Sequence, residues 1–428
     1  MKLSVFWFRR DLRLEDNTAL NLALSSGLPV LTIFIFDENI LGELSSDDAR
    51  VSFIYDNLQS INKKLNKLGS SVKIFIGEPV RAWREIIRQF EIENVYINKD
   101  YEPYAIDRDA QVKTLLAQHG TRLFECKDQV IFEENEILKD DGKPYTVFTP
   151  YKKKWLQQFH QPLNEPKDLS RSGQFFPSDF PFPELSEIGF QHSPVSIRDF
   201  DLTRLDRYAE TRDLPGKDST SYLGPHLRFG TISIRGVIQK LKARDEVFLS
   251  ELIWREFFMQ ILKHYPRVID QNFKTRYNGI TWCNDEEEFL CWCRGETGYP
   301  MVDAGMRQLN TTGYMHNRVR MITASFLCKH LLIDWRWGEG YFAEKLVDYE
   351  LSSNNGNWQW AAGTGCDAAP YFRVFNPTTQ LQKFDRDLAY VKQWLPEFET
   401  PHYPAQVVEH TFARNRALEA YSKALKNH

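Results

Sequence analysis

The chain has 428 residues, 42% of them apolar and 26% charged, with a formal net charge of −4. That length predicts two domains with sizeable cores, and the composition is that of a globular protein, which excludes disordered and fibrous classes. A charge so close to balance excludes a uniformly basic nucleic-acid binder and leaves room for a local basic groove.

Thirty Phe, eighteen Tyr and eleven Trp form a heavy aromatic load, suited to flat ligands and to large cores alike. The opening MKLSVFWFRRDLRLEDN puts its arginines after a short apolar run, so no signal peptide is expected. No apolar stretch reaches bilayer length, so no membrane contact is expected either. Cys126, Cys283, Cys291, Cys293, Cys328 and Cys366 are sparse for this length and fit a reducing compartment, so the expected location is the cytoplasm. Cys291-Trp-Cys293 lacks the spacing of a zinc or redox pair, and no metal is expected.

Short apolar runs recur at Leu3–Phe8, 30–36, 72–76 and 95–97, separated by segments of helical spacing at 49–68 and 82–90. This alternation predicts an α/β, Rossmann-like parallel sheet covered by helices over residues 1–130. No GxGxxG follows the first strand, which argues against a dinucleotide site of that kind. Arg9, Arg10, Asp11, Arg13, Asp16 and Asn17 read as a solvated loop with helix-capping residues. Residues 161–194 carry Pro162, Pro166, Pro177, Pro181, Pro183 and Pro194 with few periodic apolars. Proline stiffens such a connector and blocks regular structure, so 131–199 is expected to be a linker.

From residue 200 to 428 the pattern is all-helical. Asp218, Ser219, Thr220 and Ser221 precede Leu223 like a helix start, where capping explains Ser and Thr and where an anion could also bind. Glu251, Trp254, Arg255 and Phe258 fall at i, i+3, i+4 and i+7, one helical face, and a carboxylate inside an aromatic stripe calls for a partner. Asn317 and Met321 share a face four residues apart, flanked by Arg318 and Arg320. In 348–377, Trp358 and Trp360 lie two apart behind Asn354 and Asn355. In a helix they would point about 200° from each other, and the small residues after them let a flat ring approach closely.

NNGNWQWAAGTGCDAAPYFRVFNP resembles the flavin-domain signature of the photolyase/cryptochrome family, and WFRRDLRLEDN is similar to its usual opening. Within the family the likeness is to class I photolyases that repair cyclobutane pyrimidine dimers. The resemblance implies an antenna domain, a wrapping linker and an all-α FAD-binding domain. It implies FAD contacts by Tyr208, Thr220, Ser221, Tyr222, Leu223, Gly224, Glu251, Trp254, Asn317, Arg320, Asp348, Tyr349, Glu350 and Asn354, with Arg320 paired to Asp348. Gly224 stands where the family usually has serine, and Glu350 where it usually has aspartate. Glu251, Trp254, Asn317, Met321 and Trp360 would meet the lesion. Arg212, Arg255, Arg318 and Lys383, with Trp254 and Trp360, would meet DNA. Trp282, Trp335 and Trp358 would form an electron chain from surface to flavin. A second chromophore, deazaflavin or folate, is implied as antenna. Tyr104 and Ala105 replace the Asn-Glu pair of folate binders, and Glu102-Pro103-Tyr104 is closer to deazaflavin-binding relatives.

The implied reaction is light-driven: excited reduced FAD passes an electron to the dimer, the cyclobutane ring splits, and the electron returns. The expected partner is damaged DNA, bound by a monomer. The rivals are a signalling cryptochrome on the same fold, disfavoured by the short C-terminal segment, and six-four repair, disfavoured by Met321 and Trp360. A nucleotide-binding α/β protein unrelated to light would carry no flavin.

Overall fold

The computed structural model describes residues 1–160 and 174–426, so Pro162 and Pro166 of the expected linker lie outside the described residues. The chain forms two compact units. The first comprises Met1–Glu136, Gln157–Phe200 and Tyr222–Lys242; the second comprises Ile137–Leu156, Asp201–Ser221 and Ala243–His428.

In the first unit, β1 (Leu3–Phe8), β2 (Val30–Asp37), β3 (Val72–Gly77), β4 (Ile92–Asn98) and β5 (Arg122–Cys126) make one parallel sheet in the order β3-β2-β1-β4-β5. Ser4 lies opposite Val30, Thr32 opposite Val72, and Tyr96 opposite Phe124. Successive side chains point to opposite faces, so β1 splits between two cores. Phe6 and Phe8 join one with Ala19, Leu20, Val51 and Leu58, from α1 (Thr18–Leu24) and α3 (Ala49–Asn66). Val5 and Trp7 join the other with Trp83, Ile86, Val112 and Leu116, from α4 (Pro79–Gln89) and α5 (Pro103–Gln118). A short α2 (Glu38–Leu41) follows β2. The central strands read as unbroken apolar runs because both faces are covered. The edge strand β5 is mostly exposed and was not anticipated.

The first unit also draws in chain from beyond the sheet. Arg13 donates to Asp128 (2.6 Å) and to the carbonyl of Gly230 (3.0 Å). Arg235, on α9 (Ile234–Lys240), donates to Asp128 (2.7 Å) and pairs with Asp16. The loop 9–17 is therefore a buried ion-pair hub and not the solvated loop expected. α8 (Leu223–Arg228) belongs to this unit as well. Phe175 bridges Val30 at the sheet.

The second unit is helical, as expected: α6 (Phe148–Gln158), α7 (Tyr208–Thr211), α10 (Glu246–His264), α11 (Glu286–Arg294), α12 (Pro300–Thr312), α13 (Asn317–Ser325), α14 (Trp335–Lys345), α15 (Leu351–Ala362), α16 (Pro377–Phe384), α17 (Ala389–Trp394) and α18 (His410–Lys426), with a π-helical turn at Phe326–His330. The 131–199 stretch is thus not a plain linker. It contains α6, whose Tyr151 and Trp155 donate to the buried carboxylate of Glu256 on α10 (3.3 and 2.7 Å). A buried carboxylate needs such donors, and the demand ties α6 to the helical unit. Among the described residues no helix is long and apolar enough to cross a membrane.

Candidate functional site

A cleft of about 610 Å³, part of it open to solvent, lies in the second unit. α13 supplies Asn317, Arg320 and Met321; the turn before α15 supplies Asp348, Tyr349 and Glu350; α15 supplies Asn354, Asn357, Trp358 and Trp360. The structure therefore gathers eight residues singled out from two sequence segments, together with Trp358. α15 begins after Glu350, held in extended backbone, and ends at Gly363 (φ 87°), whose N–H donates to the carbonyls of Gln359 and Trp360. Glycine suits that left-handed cap. Asn355 does not face the cleft: it is buried, and it ties the helix to the carbonyl of Val268 (3.0 Å) alongside Gln359 (2.9 Å). Trp358 is buried at 2% exposure and Trp360 half-buried, so the two indoles do serve different surroundings, although both border the cleft.

The polar groups of the cleft are oriented by partners outside it. Asn354 donates to both the backbone carbonyl and the carboxylate of Glu339 (3.0 Å each), which leaves its side-chain oxygen for a ligand. Burial pushes the Glu339 carboxyl up, against the opposing hydrogen bond from Asn354. Arg320 donates to Asp348 (2.8 Å) and to the carbonyl of Met315 (2.7 Å), and it lies over the ring of Tyr314. Tyr314 in turn donates to Thr220 (3.2 Å), bringing the 218–221 segment to the same network. The second oxygen of Asp348 is buried with no hydrogen-bond partner, as is the hydroxyl of Ser219. A buried acceptor of this kind is costly unless a ligand completes it. The oriented Asn354, the unpaired Asp348 oxygen and the neighbouring indoles therefore fit a flat heterocycle with N–H groups, the chemistry of a flavin.

A second cluster adjoins α13. Glu251 is one-third exposed and accepts from Arg212 (2.6 Å), so the expected buried carboxylate is instead a half-buried one with a partner. Burial lowers the Arg212 pKa, but the charge and hydrogen bond of Glu251 together with Tyr208 and Asp213 outweigh it, and the net shift is upward. The next residue, Asp213, accepts from Arg318 (2.8 Å), and Arg318 lies against the Met321 sulfur and over Phe384. The exposed Lys383 also reaches the Phe384 ring. Glu251, Arg212, Asp213, Arg318 and Met321 thus form one connected chain leading to the cleft. His316 caps α13, its Nδ1 accepting from the Arg318 N–H (3.2 Å). Burial and the nearby arginines bring its pKa down to about 4, against the pull of Asp213. Trp254 stacks face to face on Phe148 at 3.6 Å, so only part of its ring remains for a ligand. Arg255 is half-buried on α10. Tyr208 does not line the cleft; it lies edge-on to Phe248 (5.1 Å) and beneath the Arg212 guanidinium.

Trp335 is fully buried and donates to Asn272 (2.9 Å); Trp282 is half-buried against Tyr421 (6.0 Å). Trp335 and Trp358 share one core cluster, and Trp282 packs against it. Asp213, Tyr314, Glu339 and Phe148 were not anticipated, because each acts through a residue distant in sequence, and His316 was missed because histidine is not among the usual N-cap residues. Thr220 and Ser221 belong to the second unit, whereas Tyr222, Leu223 and Gly224 belong to the first. There Tyr222 adopts φ 52° and its hydroxyl takes the Arg198 guanidinium at 2.7 Å. Glu102 accepts from Arg10 and Arg228 (3.1 and 2.9 Å), and Tyr104 donates to Asp37 (2.6 Å).

Residues 4–167 match a family model described as DNA photolyase, and residues 248–402 one described as the FAD binding domain of DNA photolyase. The deoxyribodipyrimidine photo-lyase of Halobacterium salinarum is 36% identical, with 99% of each chain covered. That of Escherichia coli K12 is 36% identical over 100% of each. A class III photolyase from Agrobacterium tumefaciens superposes with a TM-score of 0.87 at 35% identity, covering 99% of this chain and 98% of that one. An archaeal photolyase from Sulfolobus tokodaii, solved with two FAD molecules, gives 0.86 at 34%, covering 99% and 100%. A Synechocystis cryptochrome gives 0.86 at 26%, covering 98% and 99%. With this likeness along its whole length, and a cleft built for a flavin within the matched helical region, the chain belongs to the DNA photolyase family.

Proposed function

We propose that the protein splits cyclobutane pyrimidine dimers in DNA under blue light. The observation that carries the reading is the cleft in which Asn317, Met321 and Trp360 border the same space as Asp348 and Asn354. Lesion-binding and flavin-binding candidates converge there from separate helices. Bound reduced FAD supplies a light-driven one-electron donor.

The protein's own groups bind, orient and exclude water. Asp348 and Asn354 offer oxygens to ring N–H groups. Asn317 and Glu251 would hold the carbonyl and imide groups of the dimer, placing polar groups where negative charge develops on it. Trp360 and the margin of Trp254 provide apolar surface for a base taken out of the stack. Photolyases are among the enzymes that extrude their target, and a damaged pair is cheap to unpair. Arg212, Arg255, Arg318 and Lys383 would meet phosphates, making affinity fall with salt. Since Arg212 and Arg318 already hold Glu251 and Asp213, these arginines arrive pre-oriented.

The likeness to a cryptochrome favours one second reading, light sensing without repair. Ultraviolet-damaged plasmid incubated with the protein separates the two. Restored transformation after blue light, and not in the dark, supports repair; no restoration by flavin-loaded protein rejects it.

A further inference from the structure

Trp254 is not free to choose its plane. The ring of Phe148, first residue of α6, covers one face at 3.6 Å and 8°. Phe258, one turn along α10, lies at 5.4 Å and 28°, and Phe257 meets the indole edge-on at 5.6 Å and 82°. Phe258 in turn packs on Gly356 of α15, where a Cβ would fall 2.1 Å from its ring. That helix carries Asn354 and Trp360. α6 is itself fixed at two points. The Phe148 N–H donates to Asp367 (3.0 Å), and the buried Glu256 carboxylate takes Trp155 and Tyr151. Trp254 and Phe258 share a helix face, which by itself leaves an indole able to swing. The face-to-face stack with Phe148 removes that freedom before any ligand arrives.

We infer that Phe148 is a positioning residue for lesion recognition: its stack on Trp254 presets the indole plane that a flipped dimer meets. The inference rests on the reading of Trp254 as a lesion contact. A surface ordered in advance does not have to be ordered on binding, and one immobilised side chain is worth roughly three- to tenfold in affinity.

The experiment compares Phe148→Leu with the unaltered protein, both FAD-loaded, on a duplex carrying one thymine dimer and on the undamaged duplex. The stack predicts dimer binding weakened about three- to tenfold, with undamaged-duplex binding and repair yield per photon at saturation unchanged. Phe148→Tyr, which keeps a flat ring, should restore the affinity. An unchanged preference for the dimer, or an equal loss on both duplexes, would overturn the role of Phe148. If the unaltered protein shows no preference for the dimer, the proposed function fails first, and the inference with it. Should Phe148→Leu not purify as a folded protein, Phe148→Met, which fills the space without a flat face, carries the same expectations.

Discussion

Gly338 gives the sharpest stability prediction, because α14 has a control glycine two residues away. A Cβ at Gly338 would lie 2.1 Å from Trp358 Cη2 and 2.5 Å from a Leu327 methyl; at Gly340 it would meet nothing within 4 Å. Trp358 cannot easily yield. It is 2% exposed and held edge-on by Phe342 (5.0 Å) and Trp292 (6.1 Å). Overpacking costs about 1–3 kcal/mol and should sit near the top of that range here. Alanine's helix propensity gives back about 1 kcal/mol, so Gly338→Ala should lose about 2 kcal/mol. Gly340→Ala should gain up to about 1 kcal/mol. The gap of about 3 kcal/mol is large enough to read in urea unfolding followed by tryptophan fluorescence. The forced shift of Trp358 should also slow photoreduction in Gly338→Ala alone. Two variants of equal stability would refute the close packing of α14 on Trp358.

Glu251→Ala should lower repair yield per absorbed photon by about tenfold, the scale of one charge-assisted hydrogen bond, and should change dimer affinity less. Retained yield would remove its role. Trp358→Phe should abolish light-driven bleaching of the oxidised flavin band while sparing repair by chemically reduced protein, and normal bleaching would show that electrons enter elsewhere. His316 and His330 give a pH dependence. Burial lowers the His316 pKa to about 4; burial, helped by His410, brings His330 to about 3. An unfolded chain takes up protons on these groups near 6.5, before the folded one does, so stability should fall as pH drops from about 6.5 toward 4. Each contributes at most a few kcal/mol, about 3 kcal/mol for His316. The groups facing His316 are Asp213, Arg320, Arg318 and Arg212. His316→Asn, which can still cap α13, should flatten the slope of unfolding free energy against pH; an unchanged slope would contradict the burial argument.

The sheet was legible in β1 and β2 because both are buried throughout and read as unbroken apolar runs, and in the apolar stretches of the less buried β3 and β4. β5 escaped because RLFEC is mostly exposed and Arg122 and Glu125 break up its apolar residues. α6 carried a readable signal in Phe148, Tyr151 and Trp155, all buried on one side, but it was absorbed into a proline-rich neighbourhood. The interleaving of the two units had no local signature, since Arg13 meets Gly230 across 217 positions. At the site, spacing disclosed the pair Asn317 and Met321, and the family likeness supplied the rest. Periodicity could not disclose that Glu251 would be held by Arg212, 39 residues earlier, or Arg318 by Asp213, 105 residues earlier. Those pairings decide charge and orientation at the site, and only the folded chain displays them.

The most direct test of the central claim is blue-light repair by the purified, reduced protein on two DNA oligomers, one with a cyclobutane thymine dimer and one with a six-four product. Restoration of the first alone is the predicted result. Restoration of the second alone, or of neither by flavin-loaded protein, would contradict the account.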